Sequence, residues 1–238
     1  MSLQWAAAWA AIVHHPLFAL GVTLAAYQLA LKAFEATRWV VLQPVLLSVL
    51  VVVGVLALCR IELAEYQHNT EIMGILLGPA TVALAVPLYL NLRRIRQLLW
   101  PTLATLVLGG TFATGSGLLL GAWLGADQPL LMTLAPKSVT SPIAMLVAEQ
   151  LGGVPGMAAV FVLITGVVGA IVGPGLLTLL KVEAPEARGL ALGISAHAVG
   201  TSVALAEGET CGAFAALGMS LMGVLTAVAL PLAISLFV

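Results

Sequence analysis

Lys137 and His197 are the two side chains whose chemistry is hardest to reconcile with their surroundings. Each stands in a long apolar stretch, at a short polar interruption built from Gly or Pro and hydroxyl residues: Pro136-Lys-Ser-Val-Thr-Ser-Pro142 and Ser195-Ala-His-Ala-Val-Gly-Thr-Ser202. A third interruption, Leu77-Gly-Pro-Ala-Thr-Val-Ala-Leu-Ala-Val-Pro87, has the same make-up without a charge. A lysine at bilayer depth costs on the order of 3 kcal/mol on insertion scales, so Lys137 calls for a counter-charge, and an anionic cargo supplies one. The plainer account has Lys137 near the surface, snorkelling into water. His197 has a reference pKa of about 6.5, which suits a proton-coupled step; its plainer account is a hydrogen bond between helices.

Backbone that leaves the helix at membrane depth has unpaired peptide groups that lipid cannot satisfy, so it survives only inside protein or around a polar cavity. In transporters such breaks mark where half-helix ends meet the cargo. Helix breaks are therefore expected at Gly78, Pro79, Pro136, Pro142 and Gly200. A helix N-terminus offers free N–H groups and partial positive charge to an anion. Beside those breaks, Thr81, Lys137, Ser138, Thr140, Ser141, His197, Thr201 and Ser202 are the expected substrate-binding residues. Each hydroxyl can equally satisfy a carbonyl of its own helix. His197, Glu149 and Glu207 are the candidates for proton coupling, although Glu207, with Glu209, also reads as a solvated helix end.

Other chemistries find no support. Ser195 and His197 are two residues apart with no Asp beside them, so no nucleophile-and-base set points to an enzyme. Cys59 and Cys211 stand singly, far apart in sequence, which argues against a disulfide or a metal pair. No G-x-x-x-x-G-K-[ST] loop is present for ATP, and no basic stripe for nucleic acid. No metal or other cofactor is expected, and transport would run on a gradient or be passive.

The elements that must position these residues are membrane helices. The 238 residues are 61% hydrophobic and 8% charged, with mean hydropathy +1.13, against roughly a quarter charged in a soluble domain. At about 20 residues per crossing, the sequence divides into Leu17–Phe34, Trp39–Leu58, Thr70–Leu92, Pro101–Gly125, Leu130–Leu151, Met157–Leu180, Gly189–Ala206 and Gly212–Phe237. Basic residues fall at Lys32/Arg38, Arg93/Arg94/Arg96 and Lys181/Arg188. The positive-inside rule puts all three groups in the cytoplasm only if Leu130–Leu151 re-enters without crossing. This gives an all-α multi-pass protein of about seven crossings, with the N-terminus outside and the C-terminus cytoplasmic. It forms one membrane domain over residues 1–238. The first half, 1–125, holds the broken segment 70–92; the second, 126–238, holds the broken segments 130–151 and 189–206. Thr81-Val-Ala-Leu-Ala85 and Ser202-Val-Ala-Leu-Ala206 match at four of five positions, a pattern expected of an inverted-repeat transporter. A homodimer is expected of so small a bundle; the Gly-rich fourth span offers one close-packing face, for a second copy or equally for its own bundle.

Leu77–Tyr89 (LGPATVALAVPLY), Pro136–Met145 (PKSVTSPIAM) and Ala196–Thr201 (AHAVGT), in this order and spacing, resemble the LrgB/CidB family of membrane proteins. The likeness runs from roughly Pro16 to Pro231. It implies a fold distantly like that of the bile-acid symporters and residence in the inner (cytoplasmic) membrane. Two functions follow from it. One is secondary transport of small monocarboxylates of the glycolate, glycerate, pyruvate and acetate class. The other is a holin/antiholin-like role that modulates murein hydrolases and lysis, often beside an LrgA/CidA-like membrane partner.

Overall fold

The computed structural model describes residues 9–37, 42, 44–83 and 85–236. Among them the chain is helical, with no strand, and it divides into two compact units, Met1–Ala83 and Leu84–Val238. The first unit holds α1 (Pro16–Thr37), α2 (Pro44–Cys59), α3 (Leu63–Asn69) and α4 (Glu71–Ala83). Helices α2 and α3 meet at a bend of 117°. Thr23 and Tyr66 join α1 to α3 through their hydroxyls at 2.7 Å, and His14 meets Glu65 at 2.7 Å. An apolar cavity of about 440 Å³ lies among Thr23, Tyr27, Val52, Tyr66 and Met73.

The break expected at Gly78 and Pro79 is not there: α4 runs from Glu71 to Ala83 through both. A proline inside a helix removes one N–H bond and crowds the carbonyl four residues back, and α4 absorbs that without leaving the helix. Of the expected features, Arg38, Trp39–Val41 and Gln43 in and before the segment Trp39–Leu58, and Leu84 in the segment Thr70–Leu92, lie outside the described residues.

The second unit contains α5 (Ala85–Leu90), α6 (Leu92–Gln97), α7 (Leu99–Trp123), α8 (Gln128–Leu134), α9 (Ser141–Gln150), α10 (Pro155–Leu179), α11 (Pro185–Glu207) and α12 (Glu209–Ser235). By length and composition α1, α7, α10, α11 and α12 can cross a bilayer, with α2 and α3 a sixth candidate if the bent pair is one span. Among the described residues this gives five or six candidate spans, against the seven expected.

Moreover, α11 does not run straight. Arg188 Nε donates to Glu207 Oε2 at 2.7 Å across nineteen residues of the same helix; at about 1.5 Å of rise per residue a straight helix would hold those residues roughly 28 Å apart. The turn is at His197, whose φ of 41° and ψ of −128° are not helical. Arms 185–196 and 198–207 thus form a helical hairpin. A Cβ at Gly200 would collide with the Leu192 carbonyl, and one at Gly189 or Gly193 with carbonyls of Cys211 or Ala215. These glycines let the two arms lie on each other and on α12. The segment expected to cross, Gly189–Ala206, instead enters and returns.

Helices α8 and α9 make the other hairpin, as expected for Leu130–Leu151. The chain leaves the helix at 135–140. Thr133 Oγ1 accepts from Val154 N at 2.8 Å, so the returning chain passes beside the descending one. The mouth of this hairpin, Gln128, Met132, Gln150 and Leu151, shares a cavity of about 320 Å³ with Pro231, Ile234 and Ser235 at the C-terminal end of α12. The mouth of the α11 hairpin lies at the other end, where Gly189 and Leu205 flank residues 211–215. The two hairpins thus approach α12 from opposite ends. Val139, Ala144, Val162, Ile194, Phe214 and Met222 share the core that holds them.

Candidate functional site at the hairpin tips

Both tips meet α12 near its middle. Ile143 Cδ1 lies 2.9 Å from where a Cβ on Gly223 would stand, and Thr201 Oγ1 meets Met219 Sδ at 3.8 Å. Positions 219 and 223 are one turn apart, about 6 Å. The second and third polar stretches are therefore brought to a common level, while Gly78, Pro79 and Thr81 belong to the first unit. Thr81 has helical backbone in α4, and its side chain lies outside the described residues.

At the first tip the helix ends before Pro136 and resumes at Ser141. Pro142 occupies the first turn of α9, where its missing N–H has no intrahelical partner to lose; it starts a helix and does not break one. Thr140 is the N-cap of α9 with no side-chain capping bond, and Ser138 is buried at 4% exposure. Lys137 Nζ donates to the Ala113 carbonyl at 2.6 Å, two residues past the mid-point of α7. The ammonium is thus held against the middle of α7.

At the second tip His197 is 4% exposed, and its Nε2 donates to the Val162 carbonyl of α10 at 2.9 Å. A carbonyl only accepts, so the Nε2 proton is fixed by that partner. Thr201, 2% exposed, turns its hydroxyl onto the His197 carbonyl at 2.8 Å, and Ser202 bonds the Val199 carbonyl at 2.7 Å. These two hydroxyls satisfy their own helix. Gly200 is helical; the break expected there falls three residues earlier, at His197. The cause is a close approach: Gly200 is needed as the bare spot on which Leu192 and Ala196 lie.

The acidic candidates are elsewhere. Glu149 is exposed at the outer end of α9, about 12 Å along the helix from Ser141. Glu207 is at the mouth of the second hairpin, where both its oxygens accept from Arg188, at 2.7 and 3.0 Å. Sequence reasoning missed this pairing because a segment that crosses, broken or not, holds the two residues far apart. It also missed Arg94, which pairs with Glu186 at the start of α11. Arg188 further reaches the Val182 carbonyl at 3.1 Å and the Pro174 carbonyl at 3.4 Å, tying the hairpin mouth to the end of α10.

A model of the LrgB-like family matches residues 23–236. The chain belongs to that family. It is 37% identical over 216 residues to the uncharacterized protein YxaC of Bacillus subtilis, covering 91% of this chain and 94% of that protein. An uncharacterized protein of Haemophilus influenzae is 34% identical over 210 residues, 88% of this chain and 91% of that one. The antiholin-like protein LrgB of Bacillus mycoides is 27% identical over 218 residues, 91% and 95% of the two chains. No solved structure matches. This LrgB-like chain is thus a multi-helix protein of membrane character whose family places it near proteins named as antiholin-like.

Proposed function

We propose that this LrgB-like protein is a secondary carrier of small organic monocarboxylates, bound between the two hairpin tips near the middle of the membrane. The observation that carries the reading is the pair of hairpins approaching α12 from opposite ends, one tipped with Lys137 and the other with His197. Opposed re-entrant tips give a site that can open to either side in turn, the architecture alternating access needs. In this reading α7 with the first hairpin and α10 with the second form the inverted pair. The echo of residues 81–85 and 202–206 does not, since 202–206 is only a returning arm. His197 is the proton-coupling group, because Glu207 is taken by Arg188 and Glu149 is at the outer end of α9.

The protein resides in the cytoplasmic membrane. Arg94 pairs with Glu186, so the basic groups at Arg93–Arg96 and Lys181–Arg188 share one side, which the positive-inside rule makes cytoplasmic. With α11 re-entrant, α12 then carries the C-terminus to the outside, the reverse of the orientation drawn from seven crossings. A homodimer and an LrgA/CidA-like partner both accord with this reading.

The names of the Bacillus relatives favour a second reading, an antiholin-like modulator of lysis. Holin-type lesions need oligomeric spans and have no use for opposed tips. Purified protein in liposomes separates the two. The carrier takes up labelled glycolate, glycerate, pyruvate or acetate saturably, and a pH gradient drives the uptake in the parent but not in His197→Gln. Release of protein-sized dye conjugates without saturable uptake would establish the second reading instead.

A further inference from the structure

The two tip bases are held in the same way, although they enter from opposite ends of the bundle. Lys137 lies along α7 over Gly117, where an added Cβ would collide with Nζ and come within 3.0 Å of Cε. Its Nζ bonds the carbonyl of Ala113, four residues toward the start of that helix. His197 lies over Gly166 of α10, where an added Cβ would stand 2.6 Å from both Cε1 and Nε2. Its Nε2 bonds the carbonyl of Val162, again four residues toward the start. In a helix those carbonyls already accept from the N–H of residues 117 and 166, so each base takes a second lone pair on an occupied acceptor.

We infer that Gly117 and Gly166 are matched seats, which park the two bases on backbone carbonyls while the site is empty. A small carboxylate binds by drawing the bases off those carbonyls. The inference rests on the carrier reading for its ligand, a monoanion with one carboxylate; the seating itself rests on the geometry alone. A charged or ring donor on a neutral carbonyl is a weaker pair than the same donor on a carboxylate, so the exchange runs toward the anion without a residual unpaired base. The parked bond also competes with the cargo, which makes the two glycines, through the bases they seat, determinants of affinity.

The test uses full-length protein in liposomes, with Cys59 and Cys211 replaced by Ala and a reporter cysteine at the first tip, Ser138→Cys. Gly117→Ala removes the seat. Labelling of the reporter by a soluble maleimide is expected to rise about tenfold, and in protein without the reporter KM for labelled glycolate is expected to fall about threefold to tenfold, the scale of the net worth of one hydrogen bond. Gly115→Ala on the same helix and Gly175→Ala on α10 are controls, because nothing lies within 4 Å of a Cβ at either position. Gly166→Ala should reproduce the effect with a reporter at Ala198→Cys, an exposed position that a Cβ at Gly166 does not touch.

Should Gly117→Ala fold poorly, the Lys137→Ala background restores space, and there the added methyl must have no effect on labelling. Persistence of the effect in that background overturns the inference, as does labelling of Gly117→Ala and Gly166→Ala at the parent rate. If the parent carries no carboxylate at all, the carrier reading falls, and the labelling arm still decides whether the glycines seat the bases.

Discussion

The Lys137 ammonium has three donors, and its hydrogen bond in the structure goes to the Ala113 carbonyl at 2.6 Å. Once off that carbonyl, all three can turn to a carboxylate, which no neutral side chain of similar length can replace. Lys137→Met keeps the apolar stem over Gly117 and removes the charge. It should lower kcat/KM for glycolate uptake about tenfold to a hundredfold, on the scale of about 1.5–3 kcal/mol for a hydrogen bond to a charged group. Lys137→Arg keeps the charge, yet its planar fork does not fit a seat shaped for a slim stem; uptake should stay well below the parent. Equal uptake by parent and Lys137→Met, in protein of unchanged melting temperature, removes the lysine from the site. Sequence alone marked Lys137 and His197, because a base in an apolar run stands out by composition. It could not mark Gly117 or Gly166, since what distinguishes them from the other glycines is a neighbour remote in sequence. His197 also occupies a backbone region that non-glycine residues avoid, at a cost of order 1–3 kcal/mol. The Val162 bond and the tight packing around it hold that conformation.

At the scale of elements, a hairpin whose arms each span half the bilayer must be closed at its mouth, or the arms splay. Arg188 does this for α11, with Glu207 on the returning arm and carbonyls of Pro174 and Val182 on the preceding chain. Its side chain is 16% exposed and that of Glu207 25%, so solvent screens the pair only in part. Glu207→Gln or Arg188→Met should each destabilise the protein by about 2 kcal/mol, read as a lower melting temperature in detergent. The double substitution should lose less than the sum, because each single change strands the other partner. Additive losses would mean that the two side chains do not act as a pair. The α11 hairpin is where the sequence misled. Its 23 residues have the length and hydropathy of a full span, and those averages are blind to a reversal at one residue. The α8–α9 segment was legible because Pro136, Lys137 and Pro142 lie together and because the charge rule needed it to return. Conversely, Gly78-Pro79 had the composition of a break and the backbone of a helix. Composition states that a helix can be interrupted, not that it is.

For the whole molecule the two hairpins decide how many times the chain crosses, and therefore which groups face the same solution. In the second unit α7, α10 and α12 are long and apolar enough to run the full thickness, and in the carrier reading both hairpins return to the side they left. Asp127 and Gln150 then flank one mouth, while Glu183 and Glu209 flank the other. With Cys59 and Cys211 replaced, single cysteines at Glu183 and Glu209 should react with an impermeant maleimide from one face of the membrane. Cysteines at Asp127 and Gln150 should react from the opposite face. A crossing α11 requires Glu183 and Glu209 to be on opposite faces, so that single pair of labelling experiments decides between the two topologies. The outcome reaches beyond bookkeeping of spans. If Glu183 and Glu209 label from opposite faces, His197 is a kink in a crossing helix, and the two tips no longer oppose each other across α12. The carrier reading would then lose the arrangement that lets one site face two solutions in turn. If they label together, the C-terminus is outside whenever Arg93, Arg94, Arg96 and Lys181 are inside, since α12 starts beside them and crosses once.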